Sequence, residues 1–260
     1  MLRFTANLSL LFTELPLPQR FQAARQHGFE AVEIQFPYTL PATDVKDLLQ
    51  ENNLKLVLFN VDADTLLQGG EGLAAVPEKV EQFKATVEQT MAYAAVLQPN
   101  AINVLPGRCL DSQRKSQYLA TLTDNLRYAA KAFAEMGVTT VFEAVNSIDM
   151  PGFILDSSQQ MLDMLIAVDH PGLRMQYDIY HMSRMGEDCG GFLKQHLDKI
   201  GHIQFADCPG RAEPGTGAVD FDNLFDIIAN STYQGWVGAE YRPTTTTAAS
   251  LAWLKTPAAN

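Results

Sequence analysis

The stretch Gln117–Val145, QYLATLTDNLRYAAKAFAEMGVTTVFEAV, contains one complete change of hydrophobic period, and that change decides the fold. From Gln117 to Met136 the apolar positions recur at the spacing of an amphipathic helix. Gly137 closes it, since glycine takes the left-handed backbone of a helix end without steric cost. Thr139–Val145 follows at once as a short, β-branched and apolar run, the composition of a strand.

The same alternation extends in both directions. Strands are expected at Arg3–Leu8, Ala31–Phe36, Lys55–Val61, Ala101–Pro106, Thr139–Val145, Arg174–Tyr180, Gly201–Ala206 and Trp236–Tyr241. Helical patterns separate them at Leu17–His27, Pro77–Leu97, Gln117–Met136, Ser158–Val168, Gly191–Lys199 and Phe221–Ala229. Alternating strands and helices imply a parallel sheet. Eight such units predict an α/β protein, a single (β/α)8 TIM barrel over residues 1–260. Seven or nine strands are also compatible with these boundaries. An open doubly wound sheet would announce itself with a glycine-rich turn after the first strand, and Leu8-Ser9-Leu10-Leu11-Phe12-Thr13 is not one. No Ser/Gly-rich linker divides the chain. A last helix is expected at Ala248–Leu254, with a loose tail from about residue 255.

Glu143 breaks the apolar character of the opening stretch, and three other strands carry a similar break: Asp178, Gln204 and Glu240. An ionisable group in an apolar run is costly unless it is paired or bound to a metal. All four lie in the second half of their strands, the end at which barrel enzymes place their chemistry. Strands five to eight are neighbours around a barrel wall, so these side chains can surround one point. Three carboxylates and an amide oxygen make a hard donor set, suited to Mg²⁺ or Mn²⁺. For Gln204 alone, a polar group inside the barrel is an equally good reading.

His181, three residues past Asp178, reads as a substrate contact. Arg211 lies in the loop Asp207-Cys208-Pro209-Gly210-Arg211-Ala212-Glu213-Pro214-Gly215-Thr216-Gly217, whose turn residues fit a plain surface loop. Its guanidinium over a barrel mouth would also grip a carboxylate bidentately, which makes it the second substrate contact. His27 and His202 read as structural, and Glu33 as an internal polar contact.

With 47% hydrophobic residues in 260, the chain can bury a large core. Lys plus Arg number 19 against 30 Asp plus Glu, a formal charge of −11, which disfavours a nucleic-acid-binding surface but not a small anionic substrate. Cys109, Cys189 and Cys208 are widely spaced without a Cys-x-x-Cys pattern, so they read as small apolar residues rather than as a disulfide or zinc framework. The first residues have no signal-peptide pattern and no apolar run is long enough to span a bilayer, so a cytoplasmic protein is expected. Homo-oligomerisation is left open.

Several blocks in order resemble the hydroxypyruvate isomerase family, within the xylose-isomerase-like, endonuclease-IV-like barrels, over nearly the full length. They are Arg3-Phe4-Thr5-Ala6-Asn7-Leu8-Ser9, Phe36-Pro37-Tyr38, Asn125-Leu126-Arg127-Tyr128-Ala129-Ala130 and Gln176-Tyr177-Asp178-Ile179-Tyr180-His181-Met182. Glu213-Pro214-Gly215-Thr216-Gly217 and Gly235-Trp236-Val237-Gly238-Ala239-Glu240-Tyr241 continue the series. The resemblance implies interconversion of hydroxypyruvate and tartronate semialdehyde. It puts the paired acid/base glutamates on Glu143 and Glu240, and the metal ligands on Glu143, Asp178, Gln204 and Glu240. A related branch, 2-oxo-tetronate isomerase, shares the scaffold; Pro151-Gly152-Phe153, Asp178-Ile179-Tyr180-His181 and Pro214-Gly215-Thr216-Gly217 look more like the hydroxypyruvate branch. Two positions depart from the family: Ala144 stands where proline is frequent, and the Gly-Glu-x-Gly loop appears as Gly69-Gly70-Glu71-Gly72.

Such a reaction needs a proton removed from one carbon and placed on the next, which two carboxylates can do through an enediolate without a redox cofactor. A divalent cation would stabilise the enediolate charge. A route that does not strictly require the metal, carried by the carboxylates and His181, is the alternative. A non-catalytic sugar-acid binding protein would keep the pocket without needing both glutamates, and a DNA-repair nuclease on this barrel would need more histidine ligands and a basic groove.

Overall fold

The protein, described here from a computed structural model covering residues 2–254, closes eight parallel strands into a barrel in the order β1-β2-β3-β4-β5-β6-β7-β8. The strands are β1 (Phe4–Asn7), β2 (Ala31–Ile34), β3 (Lys55–Asn60), β4 (Ala101–Val104), β5 (Thr139–Glu143), β6 (Leu173–Asp178), β7 (Ile200–Phe205) and β8 (Val237–Ala239). β8 pairs back on β1, with Phe4, Thr5 and Ala6 opposite Val237, Gly238 and Ala239. The helices outside are α1 (Leu17–Gln26), α2 (Ala42–Glu51), α3 (Val80–Leu97), α4 (Lys115–Ala134), α5 (Ser158–Val168), α6 (Ile179–Arg184), α7 (Cys189–His196), α8 (Phe221–Ala229) and α9 (Thr247–Ser250). The expected (β/α)8 architecture is the observed one. The expected loose tail from about 255 lies outside the described residues.

The helix that opened the sequence argument shows why the outer layer holds. α4 buries Tyr118, Leu122, Leu126, Ala129, Ala130 and Phe133, a stripe of three- and four-residue steps that lies on the barrel wall. α5 begins where the Ser157 hydroxyl accepts the Gln160 N–H, and α8 where Asp220 accepts the Asn223 N–H. Two helices were not legible in the sequence. α2 buries only Val45 and Leu49 among its ten residues, too thin a stripe to mark a period. α6 is six residues long and begins where strand six was expected to continue through Tyr180. β6 stops at Asp178 because its carboxylate accepts the backbone N–H groups of Tyr180 and His181 and so starts a helix. His181 therefore sits in the first turn of a helix rather than at a strand end.

The inside of the barrel is unusual. Such barrels ordinarily fill with layers of branched apolar side chains. Here Thr5, Asn7, Glu33, Asn103, Gln176, His202 and Gln204 are all buried polar residues of the strands. β2 and β7 are separated on the wall by β1 and β8, yet Glu33 Oε1 lies 2.8 Å from His202 Nε2 and Glu33 Oε2 accepts from Gln204 Nε2 at 2.7 Å. These contacts therefore cross the barrel interior. Gly238 makes room for them, since a Cβ there would overlap the Glu33 carboxylate. Glu33 and His202, both read from the sequence as structural, form this internal pair. Cys109, Cys189 and Cys208 are free thiols. No helix among the described residues is long and apolar enough to cross a membrane.

Candidate active site

The four strand-end residues gather at the C-terminal mouth. Glu143 ends β5, Asp178 ends β6, Gln204 is one residue from the end of β7, and Glu240 follows β8 directly. Asp178 and Gln204 are opposite each other in the β6–β7 register, and Glu143 is opposite Gln176 across β5–β6. All four are buried.

The charge balance there is unusual. Burial, reinforced by the negative charge of Asp178, pushes the Glu143 carboxyl up to about 7, although Asn103 Nδ2 donates to its Oε1 at 2.7 Å. Burial likewise holds Glu240 well above the usual carboxylate range, against the pull of Arg211 and with Asp178 and Glu143 adding to the rise. Arg211 Nη2 donates to Glu240 Oε1 at 2.9 Å, and Gln35 Nε2 donates to the same oxygen at 2.8 Å. Burial works against the Arg211 guanidinium, but Glu240, Asp178 and Glu143 outweigh it and hold the group charged. Among the described residues the Arg211 Nε–H is buried without a partner, while the guanidinium carbon lies 5.3 Å from the centre of the Tyr180 ring. An unspent buried donor beside carboxylates is what a small anionic ligand would fill.

Glu143, Asp178 and His181 each offer a ligand atom, and these lie within 4.8 Å of one another. The set suits a cation in part. Asp178 spends Oδ1 on the helix cap and keeps Oδ2, and buried Gln176 Oε1 and Asn103 Oδ1 have no donor among the described residues, so the surroundings are rich in acceptors. His181 is different. Asn146 Oδ1 accepts the Asp149 N–H at 2.8 Å, which orients the amide so that its Nδ2 donates to His181 Nδ1 at 2.7 Å. The Asn146 backbone N–H also faces Nδ1, at 3.5 Å. With Nδ1 an acceptor, the neutral ring carries its proton on Nε2, 3.5 Å from Asp178 Oδ2. Burial pulls the His181 pKa down to about 4, so the ring is neutral near pH 7. It stands as a hydrogen-bond donor, and the carboxylates are the fitting ligands for a hard cation. Gln204, expected among the ligands, here accepts from Gln176 Nε2 through Oε1 at 2.7 Å and donates to Glu33. Glu240 stands outside the close group, bound to Arg211 and Gln35.

Asn103, Asn146, Gln35 and Asp207 were not singled out in the sequence. Asparagine and glutamine carry no pattern that distinguishes a site from a turn. Only the position of Asn146, three residues past Glu143 in the same run, hinted at its place.

The sequence profile described as "Xylose isomerase-like TIM barrel" matches residues 21–256. Over 254 residues the chain is 43% identical to "Hydroxypyruvate isomerase" of Escherichia coli (strain K12), covering 98% of each chain. It is 37% identical over 253 residues to "2-oxo-tetronate isomerase" of Cupriavidus necator, covering 97% of each. Among solved structures, an "AP endonuclease, family 2" from Brucella melitensis superposes with a TM-score of 0.94 at 32% identity, covering 98% of each chain.

Proposed function

The chain belongs to the xylose isomerase-like TIM-barrel family and is an isomerase, and from that premise we propose that it interconverts hydroxypyruvate and tartronate semialdehyde (2-hydroxy-3-oxopropanoate). The observation that carries this reading is the pair Glu143 and Glu240, two buried carboxyls held above their usual range beside one arginine with a free donor. A carboxyl near pH 7 is balanced between giving and taking a proton, as an isomerase that runs both ways requires.

In this reading one glutamate removes a proton from C3 of hydroxypyruvate, leaving an enediolate across C2 and C3. The other protonates C2, and the oxygen on C2 gains the proton that the oxygen on C3 gives up. Nothing is oxidised or reduced overall. Arg211 takes the substrate carboxylate through Nε–H and its η nitrogens, exchanging its bond to Glu240, which frees that carboxylate for the proton transfer. His181, neutral and with its proton on Nε2, donates to a substrate oxygen. Glu143 and Asp178, with Glu240 and the amide oxygen of Gln204, would hold a divalent cation, Mg²⁺ or Mn²⁺. Such an ion would supply positive charge next to the oxygens on which negative charge develops.

Turnover of purified protein across a panel of short hydroxy-oxo acids, 2-oxo-tetronate included, tests the substrate. Hydroxypyruvate is expected to be turned over with the highest kcat/KM, and a preference for the four-carbon acid would move the protein to the other branch. Glu143→Gln and Glu240→Gln are each expected to lose roughly 10² to 10⁴ in kcat while remaining folded. A protein that binds these acids without turning any of them over would be a binding module.

A further inference from the structure

Arg211 holds a φ of 54°, a left-handed conformation that a non-glycine residue keeps only when its surroundings impose it. The loop that carries it is held from Asp207, two residues past the end of β7. Asp207 is buried, and its carboxylate accepts four backbone N–H groups of the loop: Cys208 at 2.9 Å and Val219 at 3.1 Å on Oδ1, Gly215 and Gly217 at 2.8 Å each on Oδ2. The backbone closes the same ring, because the Asp207 N–H donates to the Ala212 carbonyl at 2.8 Å and the Ala218 N–H to the Cys208 carbonyl at 2.9 Å. The Arg211 carbonyl is pinned in turn by the Arg242 N–H at 2.8 Å, next to β8 and Glu240. A loop of this length with no helix or strand of its own would ordinarily leave its backbone groups to water and its arginine mobile. One carboxylate replaces that solvation.

We propose that Asp207 is a positioning residue for catalysis: its carboxylate latches the 208–219 loop so that the Arg211 guanidinium is presented to the substrate carboxylate and to Glu240. Asp207 touches no substrate. It acts entirely through Arg211, and the inference rests on the reading of Arg211 as the carboxylate-binding group. The latch demands a carboxylate, because an asparagine would turn an N–H₂ toward two N–H donors. It also demands glycine at 217, where a Cβ would fall 2.6 Å from Asp207 Oδ1 and overlap the Cys208 carbonyl.

A double-mutant cycle on the full-length protein tests it, with kcat/KM for hydroxypyruvate measured well below the melting temperature of every variant. Arg211→Ala is expected to lower kcat/KM about 10- to 100-fold. Asp207→Asn should lose a comparable factor, mostly as a rise in KM, and the double variant should stay within about threefold of Arg211→Ala alone. A residue that merely stabilises the fold would instead multiply its loss onto that of Arg211→Ala, and that result overturns the proposal. So does an Asp207→Asn variant with unchanged kcat/KM beside an impaired Arg211→Ala, which leaves Arg211 its role and removes the latch. An unimpaired Arg211→Ala would sink the reading of Arg211 itself. Should Asp207→Asn fail to fold, Gly217→Ala runs the same cycle with the carboxylate intact, with the same expected coupling to Arg211→Ala and the same overturning outcomes.

Discussion

Glu33 and Glu143 are both glutamates buried in the wall of one barrel, and they are in opposite circumstances. Glu33 has donors on both oxygens: His202 at 2.8 Å, Gln204 at 2.7 Å, and Asn7 Nδ2 3.5 Å away. Glu143 accepts one hydrogen bond at 2.7 Å, from Asn103, and burial, reinforced by the like charge of Asp178, drives its carboxyl up to about 7. Both are buried, so burial alone does not distinguish them. What separates them is donor supply. Deep in the barrel the carboxylate is compensated and serves as a structural cross-link, whereas at the C-terminal mouth it is left wanting a proton, a cation or a substrate. Incomplete satisfaction on top of burial is what singles out the candidate site.

The contrast breaks most visibly under truncation. Glu33→Ala orphans the His202, Gln204 and Asn7 donors together, and each buried donor left unsatisfied costs about 1 to 3 kcal/mol. Chemical denaturation should show that loss, while the folded fraction keeps a kcat near that of the parent. A Glu33→Ala protein of unchanged stability would mean that the internal network is not the cross-link described.

Glu143→Gln should act the other way, and with pH. The native Glu143 carboxyl binds its proton up to about pH 7, whereas an unfolded glutamate releases it near its ordinary value of 4.5. A raised native pKa contributes stability that is present below the unfolded pKa and lost as pH rises through the native one. Measured without divalent cation, Glu143→Gln should therefore gain on the parent protein between about pH 4.5 and 7, by up to about 3 kcal/mol. A constant difference between the two across that window would show that the Glu143 carboxyl is not raised by its surroundings. Divalent cation competes with the same proton, so Mn²⁺ affinity of the parent protein should rise over the same range.

The smallest of these effects falls on Arg211→Lys. Lysine keeps the charge beside Glu240 but loses the fork and the Nε donor, so kcat/KM should fall by about 1 to 3 kcal/mol of transition-state stabilisation, with KM rising. Equal kinetics would show that a point charge suffices there.

Most of the barrel could be read from period alone. The stripe Leu122, Leu126, Ala129, Phe133 announced α4, and the β-branched run before Glu143 announced β5. α2 stayed hidden because two buried residues do not make a period, and α6 because a strand that ends on a capping aspartate looks like a longer strand. Within the site, the charged residues stood out against apolar strands, since burying a charge is costly enough to need a reason. Their neutral partners did not. Nothing in the sequence tells that Asn146 fixes the proton of His181 on Nε2, or that Asp207 gathers four N–H groups from across the 208–219 loop, because both depend on backbone groups brought together only by folding. The sequence also offered no way to see that Gln204 would turn its amide toward Glu33 and Gln176.

The claim that Glu143 and Glu240 move a proton through an enediolate is tested most directly by running the reaction in D₂O and locating deuterium in the product at low conversion. Proton transfer through these carboxyls predicts solvent deuterium on C2 of the tartronate semialdehyde formed from hydroxypyruvate, with the label greatly slowed in Glu143→Gln and Glu240→Gln. Full retention of the substrate's own hydrogen, with no deuterium on carbon, would contradict it and leave the two glutamates as holders of charge rather than carriers of the proton.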